Sequence, residues 1–387
     1  MNPTFSDYDI QDVAEWRLGA AAKVPVADWR SNDLIFDESK KLASARAAGM
    51  VWGDDGLHCG LPPSRDAWDF SANQKLCNLQ ARLMKKFGSQ LNGLSIFAAM
   101  QDARMSLSYG LAGFDGDIVV AQLSDARLTN GSLSGPNSQI VLWLGDNEYR
   151  PPAQVPDVPW EQRVGGIFWR GAISGSRFDF RGSGEPILDG FWQDSIFLTT
   201  WLKQLAAGAA SDWEQHRHNY QRLIVLDRAD GHPEVDVKLV DWAHGGGTSG
   251  IDFLKLTMGS DKVTDRLDRQ SYFHSRSLKK FTLTLEGNDR PSSFREDLLS
   301  GSCLLLPKPK WESSAHYGLK AGEHYVELKA DLSDLADKLQ WCTENDAVTR
   351  EIALAGQQHA RKYLNPAFEL KVQARMIELL KKATVLI

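Results

Sequence analysis

The chain has 387 residues, of which 42% are hydrophobic and 24% charged; this is too long for one compact core, so two domains are the natural expectation. Its 50 acidic residues against 44 basic ones give a net charge of -6 and lack the clustered lysine and arginine that draw a protein to nucleic acid. No apolar run of about 18 residues occurs, which excludes a membrane-spanning helix and leaves peripheral membrane association open.

The N-terminus, MNPTFSDYDIQDVAEWRLG, carries acids where a secretory signal needs a basic patch and an apolar run. With no ER-retention tail either, the expected location is the cytoplasm, at most against the inner face of the membrane. Residues 73–87 place Leu76, Leu79, Leu83 and Phe87 on one helical stripe. Residues 93–100, 117–123 and 139–144 read as short buried strands. This alternation predicts an α/β domain over residues 1–155. Residues 149–160, YRPPAQVPDVPW, hold four prolines and read as a linker.

In the second half, strands are predicted at 166–169, 222–226, 235–240, 280–285, 303–306 and 325–328, with helical stretches between several of them. Strands separated by helices imply parallel crossovers, hence a Rossmann-like domain over 156–365 with its ligand crevice at the carboxyl ends of the strands. Beyond Asn365-Pro366 a last amphipathic helix, with Phe368, Leu370, Val372, Met376, Leu379 and Leu380, needs an apolar surface to cover. Residues 366–387 are therefore expected to cross back onto the N-terminal domain. Cys59, Cys77, Cys303 and Cys342 show no CxxC or Cys/His spacing, so reduced, packed thiols are expected rather than disulfides or zinc.

Three segments carry polar chemistry. In residues 279–311 an apolar strand ends at Glu286-Gly287, and a polar turn leads to Pro291 at a first helical position; the helix closes near Ser300-Gly301. Backbone amides at that helix start, with the hydroxyls of Ser292 and Ser293, suit a diphosphate, although any βαβ unit has such a loop. In residues 160–182 a buried strand delivers Arg170 and Gly171 to its end, followed by Arg177. A guanidinium fork matches two phosphate oxygens, and it equally suits a structural pair with Asp179 or Glu161. In residues 138–152 a strand runs into Gly145 and presents Asp146, either as a general base or as a turn aspartate.

Taken together, FWRGAISGSR (168–177), LEGNDRPSSFREDLLSGSCLLLP (285–307), HYVELKADLSDL (324–335) and the helix containing EIALAG (351–356) resemble glycosyltransferase family 90 in order and spacing. That family includes protein O-glucosyltransferases, capsule xylosyltransferases and bacterial lipopolysaccharide-modifying enzymes. The resemblance covers about half the chain, residues 160–362. It implies a GT-B-like α/β architecture, two facing Rossmann-like domains with the C-terminal helix crossing back. It also implies an inverting transfer from a UDP-sugar, glucose or xylose favoured, to a hydroxyl acceptor such as a surface glycan, with no metal and no further cofactor.

On the family pattern Asp146 takes the general-base position, with Gly145 and Asn147 departing from the arginine and tyrosine that often flank it. Arg170, Gly171, Ser174 and Arg177 fall on the donor-phosphate element. Glu286, Gly287 and Asn288 form a turn like that of the bacterial branch. Either Ser293 or Arg295 matches the arginine that reaches the diphosphate in protein-modifying members, and Trp311 is a candidate for the sugar pocket. Phe114-Asp115-Gly116-Asp117 offers the alternative of a DxD metal-dependent transferase. His244-Gly245-Gly246-Gly247 resembles an esterase loop, but no GxSxG elbow accompanies it. A nucleotide- or carbohydrate-binding protein without catalysis is the third reading. Asp331 and Asp334 read as flanking the helix that follows them.

Overall fold

The computed structural model describes residues 7–18, 26–27, 47–53, 56–60, 81, 83–93, 95–99, 118–122, 126–128 and 139–143. It further describes 155–385 apart from 176, 186, 188–206, 209–216, 243–246, 288–289 and 292. The chain divides into two compact units, one of residues 1–151, 312–317 and 363–387, the other of 152–311 and 318–362. Among the described residues no helix is long and apolar enough to cross a membrane.

The first unit begins with helix α1 (Asp7–Leu18) and strand β1 (Val26–Ala27). Its main sheet has five strands: β2 (Ala47–Gly53), β3 (Gly56–Gly60), β4 (Ser95–Ala99), β5 (Ile118–Gln122) and, past the short β6 (Ala126–Leu128), β7 (Gln139–Trp143). Their order is β3-β2-β4-β5-β7, with β2 antiparallel to both of its neighbours and β4, β5 and β7 parallel. The three strands expected here from buried apolar runs are thus β4, β5 and β7.

The second unit carries a wholly parallel sheet, since every recorded pairing within it is parallel. Its strands are β8 (Val164–Ile173), β9 (Val235–Trp242), β10 (Lys279–Leu283), β11 (Cys303–Pro307) and, beyond the short β12 (Trp311–Ser313), β13 (Val326–Leu328). Helix α2 (Gln221–Ala229) leads into β9, and α3 (Gly247–Met258) and α4 (Arg269–Ser277) lead into β10. Helix α5 (Phe294–Leu299) lies between β10 and β11, and α6 (Leu335–Glu344) and α7 (Asp346–Tyr363) follow β13. A parallel sheet flanked by helices buries its strands, which is why they read as apolar runs; all five residues of β11 are buried. Ile167, Leu283, Cys303 and Leu305 are fully buried in this core, and Cys303 and Cys342 are free thiols.

The strand order β13-β11-β10-β8-β9 positions the candidate site. From β8 the chain moves to β9 on one side, then returns past β8 to β10 on the other and continues outward through β11 to β13. Read from β9, this is the doubly wound order 2-1-3-4-5, whose direction reverses between its first and third strands, β8 and β10. Gly166 makes the entry to β8 feasible: its φ is +88°, and a β-carbon there would stand 2.5 Å from the carbonyl oxygen of Glu234.

One predicted strand is corrected. Residues 222–226 lie inside α2, where Leu223, Ile224, Val225 and Leu226 are all buried. A short, wholly apolar run satisfies a helix buried on every side as well as it does a central strand, so periodicity could not separate the two.

In the first unit, helix α8 (Pro366–Ala383) lays Phe368, Val372, Met376 and Leu380 along one fully buried stripe. It packs with α1, whose Ile10, Val13 and Ala14 are buried at matching helical spacing. Beyond it, β14 (Thr384–Val385) pairs parallel with β1.

Candidate functional site

The carboxyl ends of β8 and β10 form two lips at the reversal point of the sheet. Beyond Ile173 the first lip continues through Ser174 and Gly175, both buried, and Arg177, which is 2% exposed. Beyond Leu283 the second continues through Thr284 and Leu285 to Glu286 and Gly287. A β-carbon on Gly287 would lie 3.3 Å from Ser174 Oγ, and one on Gly175 would lie 3.7 Å from the Gly287 carbonyl oxygen. The lips are therefore in near contact, and small residues stand where they meet.

Arg170 and Gly171 are not at the end of the strand. β8 extends to Ile173, so both lie within it, and the Gly171 α-carbon abuts the Trp169 indole. The Arg170 guanidinium donates from Nη2 to both carboxylate oxygens of Asp236, at 2.9 and 2.8 Å. Its Nη1 donates to the carbonyls of Trp169 and Asp236, and the group lies 4.2 Å from the centre of the Phe168 ring. A bidentate pair of this kind ties two adjacent strands together, so the Arg170 guanidinium is held within the sheet. The partner is Asp236, rather than the Asp179 or Glu161 weighed from sequence.

Glu286 also turns inward. Its Oε1 accepts the backbone amides of Lys310 and Trp311 at 2.9 and 2.8 Å, which fixes the loop after β11. Trp311 is fully buried, so its indole lines no open surface.

Helix α5 begins at Phe294, three residues later than Pro291 would place it, and runs for six residues. Its first turn already contains Glu296 and Asp297. Ser293 donates to Asp297 Oδ2 at 2.9 Å, as does Thr284 at 2.5 Å, and Arg276 Nη1 stands 2.9 Å from Asp297 Oδ1. Both carboxylates of this first turn are engaged by arginines, Glu296 by Arg269 and Asp297 by Arg276, and the helix opens later than Pro291 would place it. Burial pushes the Asp297 carboxyl up to about 6, against the pull of Arg276, Thr284 and Ser293. Arg295 is half-buried in the first turn of α5. Asp334 stands at the N-cap of α6 and accepts the Lys329 amide, while Asp331 accepts that of Ser333, so both organise the turn before the helix.

Asp146, Asn288 and Ser292 lie outside the described residues, as do the DxD-like segment and His244 to Gly246. Gly247 opens α3.

Sequence reasoning missed Gln221 and Arg222 at the start of α2. Arg222 Nη1 donates to Ala172 O at 2.9 Å and Ser174 Oγ at 2.7 Å, and Nε donates to Glu286 O at 3.0 Å. Gln221 Oε1 accepts the Glu286 amide at 3.0 Å. The only signal available was a polar pair ahead of an apolar run, which is hidden when the run reads as a strand. Amide-bearing small residues, a hydroxyl and a guanidinium gathered at strand carboxyl ends suit a phosphate-bearing ligand.

Residues 235–386 match the family model "Glycosyl transferase family 90". The O-glucosyltransferase LpsA of Dichelobacter nodosus is 25% identical over 159 residues, 41% of this chain and 45% of that protein. Protein O-glucosyltransferase 2 of Danio rerio is 51% identical over 68 residues, 17% of this chain and 14% of that protein. This chain spans less than half the length of each of these relatives. A solved structure of Anabaena HepE in complex with UDP-glucose is similar at a TM-score of 0.32 and 16% identity, covering 49% of this chain and 54% of that one.

Proposed function

From the match of residues 235–386 to glycosyltransferase family 90, we propose that the chain is a UDP-sugar-dependent glycosyltransferase whose donor diphosphate lies at the β8/β10 lips. The observation that carries this reading is the position of those lips. In an open parallel sheet, ligands bind outside the strand carboxyl ends where the winding reverses, and here that point gathers Ser174, Gly175, Gly287 and the Arg222 guanidinium. The charges of Arg177 and Arg222 favour a diphosphate over a neutral ligand at the same place.

The transfer is an inverting one in the cytoplasm, without metal. Asp146 takes the proton of the acceptor hydroxyl as that oxygen attacks the anomeric carbon, and the bond to UDP breaks on the opposite face. Negative charge growing on the UDP oxygen is stabilised by the amides of the lips and the nearby guanidinium groups. The O-glucosyltransferase names of the matched relatives favour glucose as the sugar; xylose is the next candidate, and the acceptor is a hydroxyl such as that of a surface glycan.

Calorimetric titration with UDP, UDP-glucose, UDP-xylose, UDP-galactose and GDP-mannose tests the reading. UDP and one UDP-sugar are expected to bind with EDTA present, and GDP-mannose is not. Asp146→Asn is expected to abolish turnover with UDP affinity nearly unchanged. Absence of UDP binding by the wild-type chain would overturn the assignment.

A further inference from the structure

We propose that Arg222, with Gln221 beside it, is a positioning residue that fixes the spacing of the two lips, an inference that rests on reading the lips as the nucleotide site. The last registered pair between β10 and β8 is Thr282 opposite Phe168. Beyond it Arg222 takes over the bridging. One guanidinium serves the β8 lip through Ala172 O and Ser174 Oγ, and the β10 lip through Glu286 O at 3.0 Å and Leu285 O at 3.4 Å.

The Glu286 peptide is gripped at both ends, since its carbonyl accepts from Arg222 and its amide donates to Gln221 Oε1. Gln221 Nε2 also donates to Ala330 O at 3.2 Å, beyond the end of β13. The start of α2 therefore bridges the carboxyl ends of β8, β10 and β13. The fit against the second lip is close: a β-carbon on Gly287 would stand 2.8 Å from Arg222 Nη2.

The planar fork of arginine reaches four acceptors on two chain segments at once. A lysine ammonium on a flexible stem cannot hold that geometry. Amides that grip a diphosphate must keep their separation, because a misplacement of about 1 Å costs up to roughly a hundredfold. Arg222 acts through the lips in this scheme.

Arg163 provides a matched control at the opposite, amino-terminal edge of the sheet. It donates to Val158 O, Ser302 Oγ and Ser300 O at 3.0, 2.7 and 2.7 Å, and is 6% exposed. The experiment measures UDP affinity by calorimetry and thermal stability for full-length wild type, Arg222→Lys, Arg222→Ala and Arg163→Lys. Both Arg222 variants are expected to weaken UDP binding by about tenfold to a hundredfold. Millimolar guanidinium is expected to recover part of the affinity of Arg222→Ala. Arg163→Lys is expected to lose thermal stability and keep its UDP affinity.

If Arg222→Ala does not fold, the lysine variant carries the test alone. Wild-type affinity in Arg222→Lys, or an equal loss in Arg163→Lys, overturns the positioning role while leaving the nucleotide site standing. Failure of the wild type to bind UDP removes the site itself and the inference with it.

Discussion

Asp297 is 1% exposed and surrounded by Arg276, Thr284 and Ser293, yet burial still raises its carboxyl to about 6. Desolvation therefore outweighs the ion pair at this position. The sign of the pH effect follows. With the folded value above the ordinary 3.8, the folded state holds the proton more tightly than the unfolded chain does. The stability this group contributes is complete below about pH 4 and is lost as pH rises through about 6. Asp297→Asn, an uncharged isostere of the protonated carboxyl, is expected to remove that downward slope and to keep its stability level between pH 4 and 7. Urea midpoints for both proteins between pH 4 and 7 would check it; parallel pH profiles would place the titration elsewhere. The same scale shows how a residue type can be read correctly and its task missed. Arginine and glutamate stand out in the motifs as groups that demand directional partners, but Arg170 binds Asp236 and Glu286 binds the amides of Lys310 and Trp311. Such partners lie 66, 24 and 25 residues away, beyond the reach of any local pattern.

Among the elements, strands buried in the parallel sheet were legible because continuous apolar runs such as Cys303–Leu306 have few other destinations. α2 was misread for the complementary reason, being apolar on every side over Leu223–Leu226. Helix α8 was legible from its stripe alone, for Phe368, Val372, Met376 and Leu380 recur every fourth residue. That stripe is close-packed in the first unit, so Leu380→Ala is expected to cost about 2–5 kcal/mol. Chemical denaturation measures the loss. A cost well under 1 kcal/mol would mean that the end of α8 adds little to the core. α5 marks the limit of element reasoning: Pro291 suited a helix start, but Ser293, Thr284 and Arg276 gather around Asp297, and the helix opens only at Phe294.

For the whole molecule, a ligand that binds only the folded chain must stabilise it by mass action. UDP at a hundredfold excess over its dissociation constant is expected to add about 2.7 kcal/mol. The thermal transition of the wild type should rise accordingly, while Arg222→Lys should need proportionally more UDP for the same rise; a transition that UDP leaves unmoved counts against the donor assignment. Composition, charge and apolar periodicity by themselves determined an α/β chain with no strongly basic surface, its main strands and its last helix, because these follow from local spacing and from solvent preference. The motifs also brought both lips into view as Ser174 and Gly287. Only the tertiary structure decided that these two meet at the reversal of a 2-1-3-4-5 sheet and that Arg222 spans them. Strand order and long-range hydrogen bonds depend on how separate segments pack, and residues 48 to 64 positions apart in sequence carry no mark of their adjacency until the sheet has formed.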